Sequence, residues 1–270
     1  MRRLTPQELV VLNAYWLGMT FMWSSLHLIV LPAVLLNFVP DRLKNSYLGL
    51  LTFLGMVLAT VVQPIAGALS DRWASRWGRR RPLIVIGTAI DFLFLAFLGW
   101  AGGLWMLYVG YLGLQISSNL AHGALQGLMP DRVPPEQLGT ASGVKTMLDM
   151  GGMVVVSLVT GRVVHSGIRH PVAAMLLVAL FLSIGAAVTV TGAGEASTAG
   201  KRQQARALRE VLRGIVRIDL AAHKGYWWLI GSRFCYLLGV YGFHLGRRRH
   251  GGGRLHQEGH HDNGRGHRQR

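Results

Sequence analysis

Long apolar runs constrain the fold of this chain more than any other feature of its sequence. A transmembrane helix needs about 20 mostly apolar residues to span ~30 Å of hydrocarbon. The segments that meet this requirement are 10–36, 46–69, 82–101, 104–128, 140–164, 171–192 and 226–245. Because this length is typical of membrane helices, the runs predict an all-α integral membrane protein. The segment Thr5-Pro6-Gln7-Glu8 resembles a capping box and predicts where the first helix begins.

The basic residues lie between the apolar runs. In a soluble protein, a formal net charge of +16 would indicate a nucleic-acid partner. Here the connections between successive spans are alternately poor and rich in Lys and Arg, as the positive-inside rule describes. We call the two sides of the membrane sparse and dense accordingly. We therefore predict no nucleic-acid partner and a multi-pass protein of the cell (inner or plasma) membrane with a cytoplasmic N-terminus. The dense side holds Arg2, Arg3, Arg72, Arg76, Arg79, Arg80, Arg81, Arg132 and the basic residues from Lys201 to Lys224; the sparse side holds Arg42, Lys44, Arg162 and Arg169.

Composition divides the chain into four regions: a six-helix bundle over 1–192, a cytoplasmic linker over 193–225, a seventh span over 226–245 and a tail over 246–270. Arginines at helical spacing between 202 and 217 predict a basic amphipathic helix at the membrane surface, or simply a solvated linker helix. The Gly/Arg/His-rich tail cannot bury a core, and we hypothesise that it is an out-of-frame translation product. Its histidines lack ligand spacing and Cys235 is the single cysteine, so no metal site is expected.

The connection between the second and third spans carries the most specific motif. A Gly-x-x-x-Asp-Arg element is followed by Gly-Arg-Arg-Arg; its residues are Gly67, Asp71, Arg72, Gly78, Arg79, Arg80 and Arg81. This resembles the signature loop of the major facilitator superfamily. The lengthened spacing is similar to that of the glycoside–pentoside–hexuronide cation symporters and the sucrose-transporter group. The resemblance implies a cytoplasmic gate, whereas fixing topology alone would also explain the arginines.

A second loop, between the fourth and fifth spans, also resembles the superfamily; its motif residues are Pro130, Asp131, Pro134, Gly139 and Gly143. The resemblance covers about residues 10 to 242. It implies a transporter of two six-helix halves around a central site. We expect this chain to hold one half, the linker and the start of the second half, and thus to be truncated.

Polar residues within the spans are functional candidates because they are costly at bilayer depth. On the fourth span, Gln115, Asn119, His122 and Gln126 are spaced so that they share one helix face. They are interpreted as lining a substrate cavity for a hydroxylated solute, with helix–helix hydrogen bonding as the alternative. His27 on the first span is either a further substrate contact or an interior histidine.

Two carboxylates inside the spans are candidates for ion coupling. Asp91 lies in the middle of the third span and needs a partner on another helix, a proton or a coupling cation. On the fifth span, Lys145 and Asp149 are four residues apart and can pair on one helix face. A structural salt bridge is the alternative interpretation of that pair.

The sequence lacks a nucleotide-binding loop, a metal-ligand cluster within a fold and a nucleophile arrangement, so we predict neither an enzyme nor a cofactor. The resemblance implies symport of a small polar solute, such as a glycoside, with H+ or Na+. The other partner is membrane lipid. One alternative is drug or metabolite efflux on the same fold. Another is a truncated, transport-inactive product or a membrane assembly factor.

Overall fold

The structure is a computed structural model that describes residues 2–73, 75–164 and 170–195, with five further residues, 227, 228, 231, 232 and 235, in helical conformation. Chain contacts define two units, residues 1–215 and 216–270. The predicted linker helix, most of the predicted seventh span and the tail over 246–270 lie outside the described residues. The domain boundaries drawn from composition therefore stay predictions.

Helices make up the described part of the first unit. In chain order they are α1 Pro6–Ser25, a π-helical segment Leu26–Val30, α2 Leu31–Leu35, α3 Asp41–Arg72, α4 Arg81–Gly99, α5 Leu104–Arg132, a 3-10 turn Pro135–Gln137, α6 Leu138–Val163 and α7 Val172–Gly192. The all-α prediction is confirmed. Each of the first six predicted spans corresponds to one of these helices or, for the first, to the continuous stretch from α1 to α2.

Among the residues that the structure describes, five helical stretches are long and apolar enough to cross a membrane: Pro6–Leu35, Asp41–Arg72, Arg81–Gly99, Pro135–Thr160 and Val172–Gly192. The helix α5 is long enough at 29 residues, but its polar stripe lowers its apolar content. The chain is therefore a multi-pass membrane protein, and its fourth span carries a polar stripe.

The first span begins and continues for identifiable reasons. The backbone N–H of Thr5 donates to Glu8 (2.8 Å), and the backbone N–H of Glu8 donates to the Thr5 hydroxyl (3.3 Å), which is the predicted capping box. Near its other end, Pro32 has no N–H to donate to the carbonyl four residues earlier. The π-helical segment directly precedes this proline, and such segments often mark functional sites.

The helix α1 packs against α6 and α7, whereas α5 packs against α3 and α4, and α4 also meets α7. Two glycines set the crossing of α1 and α7. A Cβ at Gly18 would lie 2.9 Å from the carbonyl oxygen of Phe181, and one at Gly185 would lie 2.9 Å from that of Ala14. Because small residues allow such close backbone approach, this crossing is the tightest kind of membrane helix contact.

The N-terminus is tied to the turn between α5 and α6. The backbone N–H of Leu4 donates to the carboxamide oxygen of Gln137 (2.8 Å), and the Gln137 amide group donates to the carbonyl of Leu4 (3.1 Å). This reciprocal pair links the start of α1 to the turn that precedes α6.

Candidate gate and transmembrane polar site

A cluster of charged residues lies where α3, α4, α5 and α7 end on the predicted cytoplasmic side; we call Asp71, Arg79, Arg80, Asp131 and Glu195 the charge cluster. At its centre, Arg80 is only 6% exposed. Its Nε donates to Asp131 (2.9 Å) and its Nη2 pairs with Asp71 (2.6 Å). Its Nη1 donates to the hydroxyl of Ser70 (2.5 Å). All three guanidinium nitrogens are thus engaged, as a buried arginine requires.

Asp131 joins both neighbouring arginines, because Arg79 also donates to it (2.5 Å). Burial opposes ionisation of Asp131, but the hydrogen bonds from Arg79 and Arg80 outweigh it and hold the pKa of this carboxyl below its usual range. The same hydrogen bond to Asp131 raises the pKa of the Arg79 guanidinium. The first loop motif and the second loop motif therefore meet in one ion-pair network.

Glu195, at the end of the described part of the linker, caps the N-terminus of α4. Its carboxylate accepts from the backbone N–H groups of Arg79 (3.0 Å), Arg80 (3.0 and 3.1 Å) and Arg81 (3.2 Å). These N–H groups have no partner within the helix, and the helix dipole favours a negative charge there. Asp71, the acid of the first loop motif, pairs with the arginines Arg79 and Arg80 rather than with a helix end.

Two glycines make room for the charge cluster. Gly78 has φ 96°, which favours glycine, and a Cβ there would collide with the carboxylate of Glu195. Gly127 on α5 has no room for a Cβ because the Arg80 guanidinium lies against it.

Two other glycines lie where α3 meets α5. A Cβ at Gly67 would lie 3.9 Å from the Gly123 carbonyl oxygen, an ordinary van der Waals distance, whereas a Cβ at Gly123 would lie 2.6 Å from the Gln63 carbonyl oxygen. A Cβ at Gly123 would also lie 3.1 Å from the backbone nitrogen of Gly67, so Gly123 allows α3 and α5 to approach closely at Gly67.

Other motif residues have different surroundings. The guanidinium groups of Arg72 and Arg81 contain buried nitrogens with no hydrogen-bond partner among the described residues. Pro130 lies within the last turn of α5, and Pro134 precedes the 3-10 turn. Gly139 and Gly143 face open space.

A chain of polar side chains follows α5 through the bundle; its members, the polar ladder, are His27, Tyr111, Gln115, Asn119, Gln63, His122 and Gln126. The Nε2 atom of His27 lies 2.7 Å from the Tyr111 hydroxyl, to which Gln115 donates (2.8 Å). Asn119 donates to the side-chain oxygen of Gln115 (2.9 Å). The stripe predicted from sequence is thus continuous, and it extends to the first span.

The ladder continues toward the charge cluster. Gln63 on α3 donates to Asn119 (2.6 Å) and lies 3.4 Å from Nδ1 of His122, whose Nε2 lies 3.1 Å from Gln126. Gln115 and Asn119 are buried, whereas Gln126 is exposed and His122 is half-buried. In the middle of the stripe, Asn119 therefore bonds Gln63 on α3, whereas Gln115 bonds within α5. The end of the stripe at Gln126 is exposed.

The pair on α6 faces the first span. Lys145 and Asp149 form a salt bridge (3.5 Å), and Thr20 on α1 donates to Asp149 (2.8 Å). The Lys145 ammonium also lies 3.8 Å above the ring of Trp16, a cation–π contact. The same tryptophan makes an edge-on contact with His122, with ring centroids 4.8 Å apart. Trp16 thus joins the ion pair to the polar ladder.

Asp91 lies elsewhere, between α4 and α5. It is fully buried, and the Ser117 hydroxyl donates to one carboxyl oxygen (2.5 Å). Its other oxygen has no hydrogen-bond partner among the described residues. A buried carboxylate with one hydrogen bond and no counter-charge is unfavourable, so this environment suits the neutral acid.

Comparison with known proteins decides the family. A sequence profile of the Major Facilitator Superfamily matches residues 11–246, most of the chain. The chain belongs to the Major Facilitator Superfamily. The resemblance drawn from the two loop motifs is therefore confirmed.

Relatives within the superfamily are named for different compounds. A sucrose transport protein of Arabidopsis thaliana is 24% identical over an alignment of 188 positions, which covers 57% of this chain and 32% of the relative. The class H tetracycline resistance protein of Pasteurella multocida is 31% identical over 136 residues, 49% of this chain and 30% of the relative. The chain thus spans about a third of these relatives' length.

Solved structures of the superfamily share the fold. A peptide transporter in complex with alafosfalin matches with a TM-score of 0.58 and 16% identity, over 89% of this chain and 50% of that structure. At that identity the similarity concerns the fold alone. It nonetheless agrees with a six-helix half of the major facilitator architecture.

The sequence patterns do not single out several residues that the structure places in these sites: Trp16, Gln63, Tyr111, Ser117 and Glu195. Gln63 had a usable signal, since it is an amide within an apolar span. Glu195 is the single acid in the segment 192–200. For Trp16 and Tyr111 there is no signal, because aromatic residues are ordinary in membrane helices.

Proposed function

We propose that this chain forms the N-terminal half of a secondary active transporter that moves a small polar solute, such as a glycoside, coupled to H+ or Na+. The observation that carries the proposal is the continuous polar ladder within the spans, which runs from the half-buried His27 to the exposed Gln126 and has a tryptophan beside it. Polar groups are retained at such depth where they meet a solute or water pathway. Amide and imidazole groups suit hydroxylated solutes because they donate and accept hydrogen bonds.

The proposed mechanism is alternating access, in which one half rocks against the other around a site near the bilayer midplane. The charge cluster is then the gate on the cytoplasmic side. It is closed here, since Arg79, Arg80, Asp71, Asp131 and Glu195 tie four helix ends together. Opening requires these charge-assisted hydrogen bonds to break together, which makes the gate a two-state element.

The outer faces of α3 and α6 fit contact with a second half. Large apolar side chains on these helices are exposed, among them Phe53 (61%), Met56 (66%) and Met147 (64%). In a membrane protein such faces meet lipid or further helices. The coupling candidates are Asp149 with Lys145, next to the ladder, and Asp91, whose buried site holds a proton more readily than a hydrated cation.

The experiment supplies the second half that alternating access requires: this chain is co-reconstituted in proteoliposomes with the C-terminal half of a superfamily relative, and radiolabelled sucrose is followed under an imposed H+ or Na+ gradient. Gradient-driven uptake that is lost in Arg80→Gln supports the proposal. The matched control is Arg76→Gln, because Arg76 is exposed on the same loop. A rate of sucrose uptake that is the same with and without either gradient contradicts coupled symport.

The efflux alternative is favoured by the tetracycline resistance relative. Its test uses the same vesicles with tetracycline and scores transport in the opposite direction. A third outcome, no flux of either compound while the folded chain is stable, supports a transport-inactive product or an assembly factor.

A further inference from the structure

The polar ladder has a fixed direction, set by Asn119. Its side-chain amide donates both to the backbone carbonyl of Gln115 (2.6 Å) and to the side-chain oxygen of the same residue (2.9 Å). Exchanging the oxygen and nitrogen of Asn119 would bring two carbonyl oxygens to 2.6 Å. The amide of Asn119 is therefore held in one orientation, with its oxygen toward the donor on Gln63.

The remaining donors follow from that orientation. The Gln115 oxygen accepts from Asn119, so the Gln115 amide nitrogen is the group that donates to the Tyr111 hydroxyl. A hydroxyl has one hydrogen to donate. Because Tyr111 is fully buried, the acceptor for that hydrogen is Nε2 of His27 at 2.7 Å. All the hydrogen bonds from Gln63 onward thus run toward His27.

The ladder consequently requires an unprotonated Nε2 on His27, with the ring proton on Nδ1. A doubly protonated imidazole has donors on both nitrogens and no acceptor. It would face the Tyr111 hydroxyl with a second donor, and the hydroxyl hydrogen would lose its acceptor inside the bundle. The hydrogen bonds of the ladder cannot all reverse their donors and acceptors, because the orientation of the Asn119 amide is fixed. The contact between His27 and Tyr111 must therefore open instead.

The backbone at His27 is suited to such a movement. His27 lies in the π-helical segment Leu26–Val30, where the helix has one extra residue in its turn. Trp23 stacks on the imidazole, with ring centroids 5.4 Å apart. Reverting this segment to α-helical spacing would rotate His27 relative to α5 without unfolding the span.

Few titratable groups face His27. From α5 the group in contact is Tyr111, and among the described residues His27 forms no ion pair. The pair Lys145 and Asp149 on α6 contacts α1 at Thr20, about two turns before His27. Asp91 bonds to Ser117, more than one turn beyond Tyr111 on α5.

From this arrangement we propose that His27 is the proton-binding switch of the transporter, and that proton binding at Nε2 breaks its hydrogen bond with Tyr111 and releases the π-helical segment from α5. This inference deepens the proposed function, on which it rests, by naming the proton as the coupling ion. The proton comes from water that reaches the half-buried His27. It leaves from Nε2 when the hydrogen bond between His27 and Tyr111 re-forms. Binding of a solute that favours the open form would then be linked to proton binding, because such coupling is reciprocal.

The first test reads the histidine directly. The full chain, labelled with 15N-histidine and 13C-tyrosine, is placed in lipid nanodiscs, and the His27 signal is the one lost in His27→Gln. We expect the Nδ1-protonated tautomer at neutral pH, and a shift of the Tyr111 ring signal that follows His27 protonation on acidification. In His27→Gln, whose side-chain oxygen still accepts from Tyr111, the Tyr111 signal should not respond to pH.

Matched variants separate the switch from general effects. Tyr111→Phe should abolish the tautomer preference, whereas Tyr108→Phe should leave it unchanged because the Tyr108 hydroxyl donates to the Tyr47 carbonyl, off the ladder (3.2 Å). His122→Gln, at the other end of the ladder, should not alter the response of Tyr111. An Nε2-protonated His27 at neutral pH, or a Tyr111 signal that still titrates in His27→Gln, would overturn the proposal.

The second test measures the movement. Spin labels at Leu28→Cys and Val109→Cys, two exposed positions on the π-helical segment and α5, are introduced with Cys235→Ser. Acidification should change their separation in this background and leave it unchanged when His27→Gln is added. An unchanged separation in both would refute the release of the segment. Neither test uses transport, so a failure here is distinct from a failure of the sucrose assay.

Discussion

Both carboxylate oxygens of Glu195 accept from the backbone N–H of Arg80, at 3.0 and 3.1 Å, although the two residues are 115 positions apart. Arg80 is also the residue whose guanidinium group organises the rest of the charge cluster. One residue therefore connects the end of α7 through its backbone with the ends of α3 and α5 through its side chain. This double use of Arg80 makes the charge cluster a single unit.

Glu195→Gln should weaken the closed gate. The amide keeps the shape but loses the charge that favours the N-terminus of α4, so we expect a loss of about 1 kcal/mol in the free energy of unfolding. The measurement is thermal or denaturant unfolding of the full chain in detergent micelles. Glu136→Gln is the control, since Glu136 is exposed in the turn before α6. An equal effect of both changes would contradict the cap.

Asp131→Asn should lower the free energy of unfolding more than Glu195→Gln does, because it leaves Arg79 and the buried Arg80 with a neutral partner. We expect a loss of about 2 kcal/mol, less than for a fully buried pair because Asp131 is partly exposed. Asp41→Asn removes an acid from an exposed pair with Lys44 and should change unfolding by less than about 0.5 kcal/mol. Similar losses in the two variants would show that the charge cluster has no special stability.

The pH dependence of unfolding should carry the signature of Asp131. Its folded pKa is depressed, so its stabilisation is fully present above the unfolded value of about 4 and is lost as pH falls through the folded pKa. Between pH 7 and about 5 this group should contribute no slope. Unfolding curves at a series of pH values for the wild type and Asp131→Asn provide the measurement. The difference between them should shrink only at acid pH, and a difference that shrinks above pH 5 would be inconsistent with the depressed pKa.

Gly18→Ala should destabilise the bundle, because the new methyl group would lie 2.9 Å from the Phe181 carbonyl oxygen. We expect a loss of about 1–3 kcal/mol from overpacking at the crossing of α1 and α7. Gly49→Ala is the same change on α3, where a Cβ has nothing within 4 Å, and it should be neutral or stabilising by up to about 1 kcal/mol. Unfolding measured in parallel checks the pair, and a reversed order would argue against the close crossing.

The predicted orientation is open to a direct labelling test. In a Cys235→Ser background, Arg76→Cys should react with a membrane-impermeant maleimide only from the cytoplasmic side. Arg42→Cys should react from the opposite side. The measurement is labelling of intact cells against inverted vesicles, and the reverse pattern would contradict the positive-inside argument.

The sequence was most informative where the physical signal is local. Apolar length placed the spans, and the Thr5–Glu8 capping box placed the start of the first helix. The paired spacing of Lys145 and Asp149 predicted their salt bridge, since i and i+4 neighbours share a helix face. The loop motifs led to the superfamily because their glycines and charges have a specific spacing.

Contacts between helices were harder to predict. No periodicity indicates that Glu195 caps α4, or that Gln63 joins the stripe on α5, because these depend on how helices cross. The choice between cavity and helix packing for Gln115 and Asn119 also depended on which side chains lie opposite. The π-helical segment is a further example, since Pro32 permits several local adjustments and packing selects one.

The reciprocal pair between Leu4 and Gln137 has a practical consequence. The Gln137 carboxamide acts toward Leu4 as a second backbone peptide would, so Leu4 is docked rather than free. An affinity tag placed close to Leu4 would therefore pull on the turn within the second loop motif. In the tests above, a tag on this side of α1 should be separated from Leu4 by a long flexible spacer.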